Sequence, residues 1–164
     1  MIKILILDVD GTLTDGSIYV GEQGEVFKRF HCRDGLAVLF LQQVDIIPII
    51  ITARESKSLL RRAQELKIKE IFQNEHDKSK LLAVICEKYD VRYNEIAYIG
   101  DDLNDLRAMK QCGLKMCPKD AHPKIRAICD YIAPSNGGQG AVRDCLEYLF
   151  QIIGHYGDFI SFYS

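Results

Sequence analysis

No stretch of the sequence approaches the roughly 20 consecutive apolar residues of a membrane-spanning helix, which argues against an integral helical membrane protein. The apolar run Met1–Leu7 stops at Asp8 and is too short for a secretory signal peptide. The six cysteines (Cys32, Cys86, Cys112, Cys117, Cys129 and Cys145) form no Cys-x-x-Cys pair and no metal-ligand spacing. They are expected to be small buried apolar side chains in a reducing cytoplasm, not disulfides or zinc ligands. Charge of one dominant sign is missing as well. A formal net charge of −2 gives nucleic acid or an anionic membrane surface nothing to hold. Repeats, low-complexity tracts and linker-like stretches are absent, so one domain over residues 1–164 is expected. With 48% hydrophobic residues, that domain can bury a sizeable core.

What is present is an alternation of strands and helices. Ile2–Leu7 and Asp45–Ile51 are apolar on both faces, as strands covered on both sides are. Pro48 in the second removes one ladder donor. Glu95–Ile99 is a third strand, and Glu70–Phe72, Leu114–Met116 and Tyr131–Ile132 are shorter candidates. Helical patterns cover Leu36–Gln43, Glu55–Leu66, Lys78–Tyr89, Asp102–Lys110, Pro123–Ile128 and Ala141–Ile153. The alternation predicts an α/β fold: a Rossmann-like three-layer sandwich with a mostly parallel sheet. Ser17–Phe30 breaks the pattern. Two β-rich runs flank a Gly-Glu-Gln-Gly loop, which predicts a β-hairpin insertion.

Acidic and hydroxyl residues collect where the strands end. In "LILDVDGTLTD", Asp8 and Asp10 follow the first apolar run. Open parallel sheets bind ligands beyond the carboxyl ends of their strands, and residues two apart in extended chain share a face. Two such carboxylates repel by roughly 4 kcal/mol at about 4 Å and an effective dielectric of about 20; a divalent cation or a shared proton relieves this. An Asp-Gly turn accounts for the pattern too. "IIITAR" places Thr52 and Arg54 after the second strand, suited to an oxyanion or to capping a helix. "IGDDLNDL" places Asp101, Asp102 and Asp105 after Gly100. Carboxylates are the donors Mg²⁺ prefers, and acidic residues also suit a helix start. Lys78 opens a helix, against the dipole, unless carboxylates or a phosphate lie near.

Taken in order, DVDGTLTD (8–15), ITAR (51–54), DKSK (77–80) and GDDLND (100–105) resemble the four motifs of the haloacid dehalogenase superfamily, in particular its phosphatases. From Met1 to about Leu149, including RDG (33–35), DAHP (120–123) and GGQGAVRD (137–144), the chain is similar to the short, cap-less phosphatases of 3-deoxy-D-manno-octulosonate 8-phosphate (KDO 8-phosphate).

The resemblance implies a cytoplasmic, Mg²⁺-dependent phosphomonoester hydrolase of lipopolysaccharide biosynthesis that forms an aspartyl-phosphate. It implies that Asp8 is the nucleophile and Asp10 the general acid and base. Thr52 and Lys78 would bind the phosphoryl oxygens. Mg²⁺ would be held by Asp8, the Asp10 main-chain carbonyl and Asp101, with Asp102 and Asp105 in support. Arg33, Asp34, Gly35, Arg54 and Arg62 fall at positions that bind the sugar acid. Relatives acting on nine-carbon sugar acids tend to have Glu at the Arg54 position, which favours the eight-carbon substrate. A nine-carbon sugar-acid phosphatase and a non-enzymatic phosphate-switch domain remain as alternatives. The spacing between motifs leaves no room for a cap domain. The resemblance therefore implies a homotetramer in which the hairpin, about residues 17–30, covers a neighbour's site. Residues 154–164 form a tail to which neither pattern nor resemblance assigns a role.

Overall fold

The structure, a computed structural model, describes residues 1–164. Strand β1 (Ile4–Leu7) leads through a helical turn (Val9–Leu13) to the hairpin β2 (Tyr19–Gly21) and β3 (Gly24–Phe27). Then follow α1 (Cys32–Phe40), β4 (Ile47–Ile51), α2 (Lys57–Glu65), β5 (Glu70–Phe72), α3 (Lys78–Tyr89) and β6 (Ile96–Ile99). The chain closes with α4 (Leu103–Met109), β7 (Leu114–Cys117), α5 (Pro123–Arg126), β8 (Tyr131–Ile132), α6 (Ala141–Ile152) and α7 (Tyr156–Phe162). Six strands form one sheet in the order β5-β4-β1-β6-β7-β8. Every pairing in it is parallel. The hairpin forms a separate two-stranded sheet.

Strand periodicity explains the three layers. Leu5 and Leu7 of β1 join a core with residues of α1, α2, α6 and α7. Ile4 and Ile6 join a second core with residues of α3, α4 and α5. Alternate side chains point to opposite faces, so the apolar run of β1 is buried on both, as the sequence pattern implies. Truncating Leu7, which is fully buried, to Ala costs about 2–5 kcal/mol. β1 is central, and the carboxyl ends of its neighbours β4 and β6 flank its own.

Pro48 fits for a specific reason. Ile47 N–H donates to Lys3, so alternation turns the Pro48 nitrogen toward β5. Pairing with β5 begins only at Ile49, and no ladder partner is lost.

Several boundaries differ from the sequence pattern. Helix α1 starts at Cys32, four residues before the apolar periodicity does, because Asp34 is buried and its Oδ1 accepts the Arg143 N–H of α6 at 2.8 Å. Helix α2 starts at Lys57, after Ser56, whose hydroxyl caps it by accepting the Leu59 N–H at 3.1 Å. The expectation of buried cysteines holds for Cys112, Cys117 and Cys145, while Cys32 is exposed and all six are free thiols. The tail contributes α7. It packs Phe159 into the core, where the Arg143 guanidinium lies 4.5 Å from its ring. No helix is long and apolar enough to cross a membrane.

The hairpin turns on Glu22 and Gln23, with Gly24 at φ +104°. Tyr19 and Phe27 stack at 4.3 Å. Ile18, Val20, Val26 and Phe27 are exposed. Only the helical turn, the hairpin, α1 and a short 3-10 helix (Leu41–Gln43) lie between β1 and β4, and only α2 between β4 and β5, so no cap domain covers the sheet end.

Candidate active site

Asp8 ends β1 with its backbone still in the sheet, its N–H donating to Ile99 at 3.0 Å. Lys78, the first residue of α3, reaches under it. Its Nζ lies 2.5 Å from Asp8 Oδ1 and 2.6 Å from Asp105 Oδ1. Asp105 is fully buried. It also accepts from the Tyr98 hydroxyl at 2.8 Å and from the Asp101 and Asp102 N–H groups. Asp101 accepts from the Thr12 hydroxyl at 3.1 Å. Gly11 makes room for it: at φ +95°, a Cβ there would stand 2.1 Å from Asp101 Oδ2, so the turn after β1 needs a residue without one.

Three carboxylates, Asp8, Asp101 and Asp105, offer oxygens within 4.8 Å of one another. Burial and the Asp105 charge hold Asp8 well above the usual carboxylate range, against the pull of Lys78. Burial and Asp105 likewise raise Asp101 to about 6, partly offset by Asp8 and Thr12. Lys78 goes the other way: burial lowers it, but Asp8 and Asp105 outweigh burial and keep it raised. Asp105 is saturated by its donors, so the carboxylates left with acceptor capacity are Asp8 and Asp101. An all-oxygen set whose charged form is disfavoured in the absence of a cation fits a hard divalent ion such as Mg²⁺.

Asp8 and Asp10 both keep the extended backbone expected, Asp8 at φ −75° and ψ 168°, and the chain turns at Gly11, φ +95°. Asp10 itself has φ −77° and ψ 110°. Its Oδ1 accepts from Lys28 Nζ at 2.5 Å, and its Oδ2 lies 3.9 Å from Arg54 Nε. Asp8 and Asp10 line the same cavity, of about 240 Å³, together with Thr52, Ala53, Arg54, Asp102 and Asn104. Thr52 is buried at the end of β4. Asp102 caps α4, accepting the Leu103 N–H at 2.7 Å.

The remaining sequence-predicted residues form a second group outside that cavity. Arg62 lies over Gly35, where a Cβ would come within 2.5 Å of Nη2. The Arg33 guanidinium lies beside Gly140, at the start of α6. Asp34 is under the surface, capping α6. The structure does not bring these four into the cavity of their own chain.

Sequence reasoning missed Lys28, Thr12, Tyr98 and Asn104. Tyr98 reads as one more core aromatic of β6, and only its hydroxyl on Asp105 sets it apart. Lys28 sits in a hairpin read for its apolar alternation. The one signal for it is a lysine directly after a strand that ends in Val26 and Phe27.

Comparison with known proteins agrees with this arrangement. Residues 62–146 match the haloacid dehalogenase-like hydrolases. The chain is 39% identical over 148 residues to the 3-deoxy-D-manno-octulosonate 8-phosphate phosphatase KdsC of Escherichia coli K12, covering 90% of this chain and 79% of that one. A crystal structure of the same phosphatase from Moraxella catarrhalis, in complex with magnesium, phosphate and KDO, superposes with a TM-score of 0.95 at 38% identity, over 99% of this chain and 94% of that one. The cobalt-bound Haemophilus influenzae phosphatase gives 0.90 at 35% identity, over 94% and 91%. With a parallel sheet end carrying these carboxylates and likeness along nearly its whole length, the chain belongs to the haloacid dehalogenase-like hydrolases and, within them, to the 3-deoxy-D-manno-octulosonate 8-phosphate phosphatases.

Proposed function

We propose that the chain hydrolyses KDO 8-phosphate to KDO and inorganic phosphate through an aspartyl-phosphate on Asp8. The observation that carries the reading is that two carboxyl groups with different partners share one small cavity. Asp8 is pinned from below by Lys78, while Asp10 is held from the side by Lys28 and faces Arg54. Environments that separate two carboxyls in this way separate their roles.

An Asp8 oxygen attacks phosphorus as the bond to the leaving oxygen breaks, and the electron pair goes to that oxygen. Asp10 supplies its proton. Asp10 then takes a proton from water as the water oxygen attacks phosphorus, releasing phosphate and free Asp8. Lys78 and the Thr52 hydroxyl bind phosphoryl oxygens, placing positive charge and a donor where negative charge is spread in the transition state. Asp8, Asp101 and the Asp10 main-chain carbonyl are the residues that would hold Mg²⁺, with Asp102 beside them. When bound, the ion screens the nucleophile from the anionic phosphate.

Arg54, lining the cavity, is assigned to the substrate carboxylate, which guanidinium groups bind as a planar fork. Arg33, Arg62 and Gly35 lie outside the chain's own cavity. A homotetramer in which a neighbouring subunit presents them would bring them to the substrate. The exposed hairpin side chains Ile18, Val20, Val26 and Phe27 supply an apolar surface for that assembly, since an isolated two-stranded hairpin is marginal in water. The test is phosphate release from KDO 8-phosphate, a nine-carbon sugar-acid phosphate and a sugar phosphate of similar length without a carboxylate. Preference for the first, lost in Arg54→Glu, is expected. Equal rates on all three would overturn the substrate assignment.

A further inference from the structure

We infer that Lys28, carried on the β-hairpin, is a positioning residue for Asp10: it fixes one oxygen of that carboxyl group so that the other meets the leaving oxygen of the substrate. The inference rests on the reading of Asp10 as the general acid.

Lys28 directly follows β3, the strand that bears exposed Val26 and Phe27, yet its own side chain is only 3% exposed. A buried ammonium is costly unless paired. Its partners are Asp10 Oδ1 at 2.5 Å and Glu25 Oε2 at 3.1 Å. Glu25 in turn accepts from the Ser56 hydroxyl, and Ser56 caps α2. The polar edge of the hairpin is thus fastened at two points, to the turn after β1 and to the start of α2.

A tether alone needs only the Glu25–Ser56 contact. The Lys28–Asp10 contact does more. With Oδ1 occupied, Oδ2 is the Asp10 oxygen left for the cavity that Asp10 and Asp8 share, 3.9 Å from Arg54 Nε. As the phosphorus–oxygen bond breaks, the proton leaves Asp10 for the leaving oxygen. The negative charge left on the carboxylate then sits beside a fixed ammonium. Lys28 itself exchanges no proton and forms no bond. A hairpin that serves assembly with its apolar edge would in this way hold the acid with its polar one.

The experiment compares kcat/KM, which reports phosphoryl transfer to Asp8, for an alkyl phosphate substrate and for p-nitrophenyl phosphate. The alkoxide needs a proton to leave; the nitrophenolate does not. Lys28→Met is expected to lose about tenfold or more on the alkyl phosphate, part of the roughly 10²–10⁴ that acid–base catalysis supplies, and less than about threefold on p-nitrophenyl phosphate. Lys28→Arg should recover most of the loss. Glu25→Gln, which loosens the hairpin while leaving the Lys28–Asp10 pair, should affect both substrates alike. Equal losses in Lys28→Met on the two substrates, or no loss, would overturn the inference. Should Lys28→Met not fold, Lys28→Arg decides it: near wild-type rates on both substrates are expected, and a large equal loss on both counts against it. Asp10→Asn separates the two claims. Leaving-group discrimination in Asp10→Asn but not in Lys28→Met defeats the Lys28 inference alone. No discrimination in Asp10→Asn defeats the assignment of Asp10.

Discussion

The Lys78 ammonium and the Asp105 carboxylate face each other at 2.6 Å, both beneath the sheet end, and the same ammonium lies 2.5 Å from Asp8. One cation thus serves two carboxylates, one aimed at the cavity and one buried under it. Asp105 gathers Lys78, the Tyr98 hydroxyl and two backbone N–H groups. It therefore links β6, the start of α4 and the start of α3 at one point.

Removing that cation leaves two carboxylates buried and unpaired. Lys78→Met is expected to destabilise the fold by about 3–5 kcal/mol and to abolish turnover. Chemical denaturation with a parallel phosphate-release assay checks both. A variant as stable as the parent would contradict the shared-cation arrangement.

Chelation is expected to remove activity, and Mg²⁺ to restore it. The basis is the oxygen-only set of Asp8 and Asp101, with burial and the Asp105 charge holding both raised. The same chelation should leave secondary structure intact, because Lys78 still pairs with Asp8 and Asp105. Circular dichroism and turnover, measured on one sample before and after chelation, test this. Undiminished turnover in a metal-free sample would count against it.

Asp34 sets a pH dependence of stability. Burial, its largest influence, raises its carboxyl from 3.8 to about 6, against the Arg143 N–H bond that lowers it. A carboxyl raised in the folded state favours folding below pH 3.8, and that contribution is lost as pH rises through about 6. The full span is about 3 kcal/mol. Asp34→Asn keeps an oxygen for the Arg143 N–H and never ionises. Its melting temperature should exceed that of the parent at pH 8, with the gap closing toward pH 4. Turnover measured alongside shows whether Asp34 also contacts substrate, as the resemblance implies.

What was legible in the sequence follows from where each residue sits relative to an apolar run. Asp8, Thr52 and Asp101 each follow a strand buried on both faces, and Lys78 opens a helix, so their gathering at one sheet end could be argued from pattern alone. Asp10 is expected on extended chain, and its own backbone is extended. The turn that follows, at Gly11, sits against Asp101, a residue 90 positions away that no local pattern connects to it. Lys28 and Tyr98 escaped for the same reason: their partners, Asp10 and Asp105, are reached through the fold. Helix α7 escaped because Phe159 finds its place in the core only once α1 and α6 are side by side. Arg33 and Arg62, which the resemblance assigns to the substrate, do not line the cavity that holds Asp8 and Asp10.

The hairpin prediction concerns assembly. Val20→Asp and Val26→Asp place charge on the exposed apolar edge and leave the cavity residues untouched. They are expected to convert a tetramer to smaller species and to lower kcat/KM on the sugar-acid phosphate. Sedimentation and turnover measured together check this. Full activity in a monomeric parent protein would show that the hairpin serves its own chain alone.

The most direct measurement is rapid acid quenching during turnover of KDO 8-phosphate labelled in the phosphate. Protein-bound label is expected within one turnover, located at Asp8 by peptide mapping, and none in a folded Asp8→Asn variant, which should also lose nearly all turnover. Full turnover without protein-bound label, or substantial activity in folded Asp8→Asn, would contradict this.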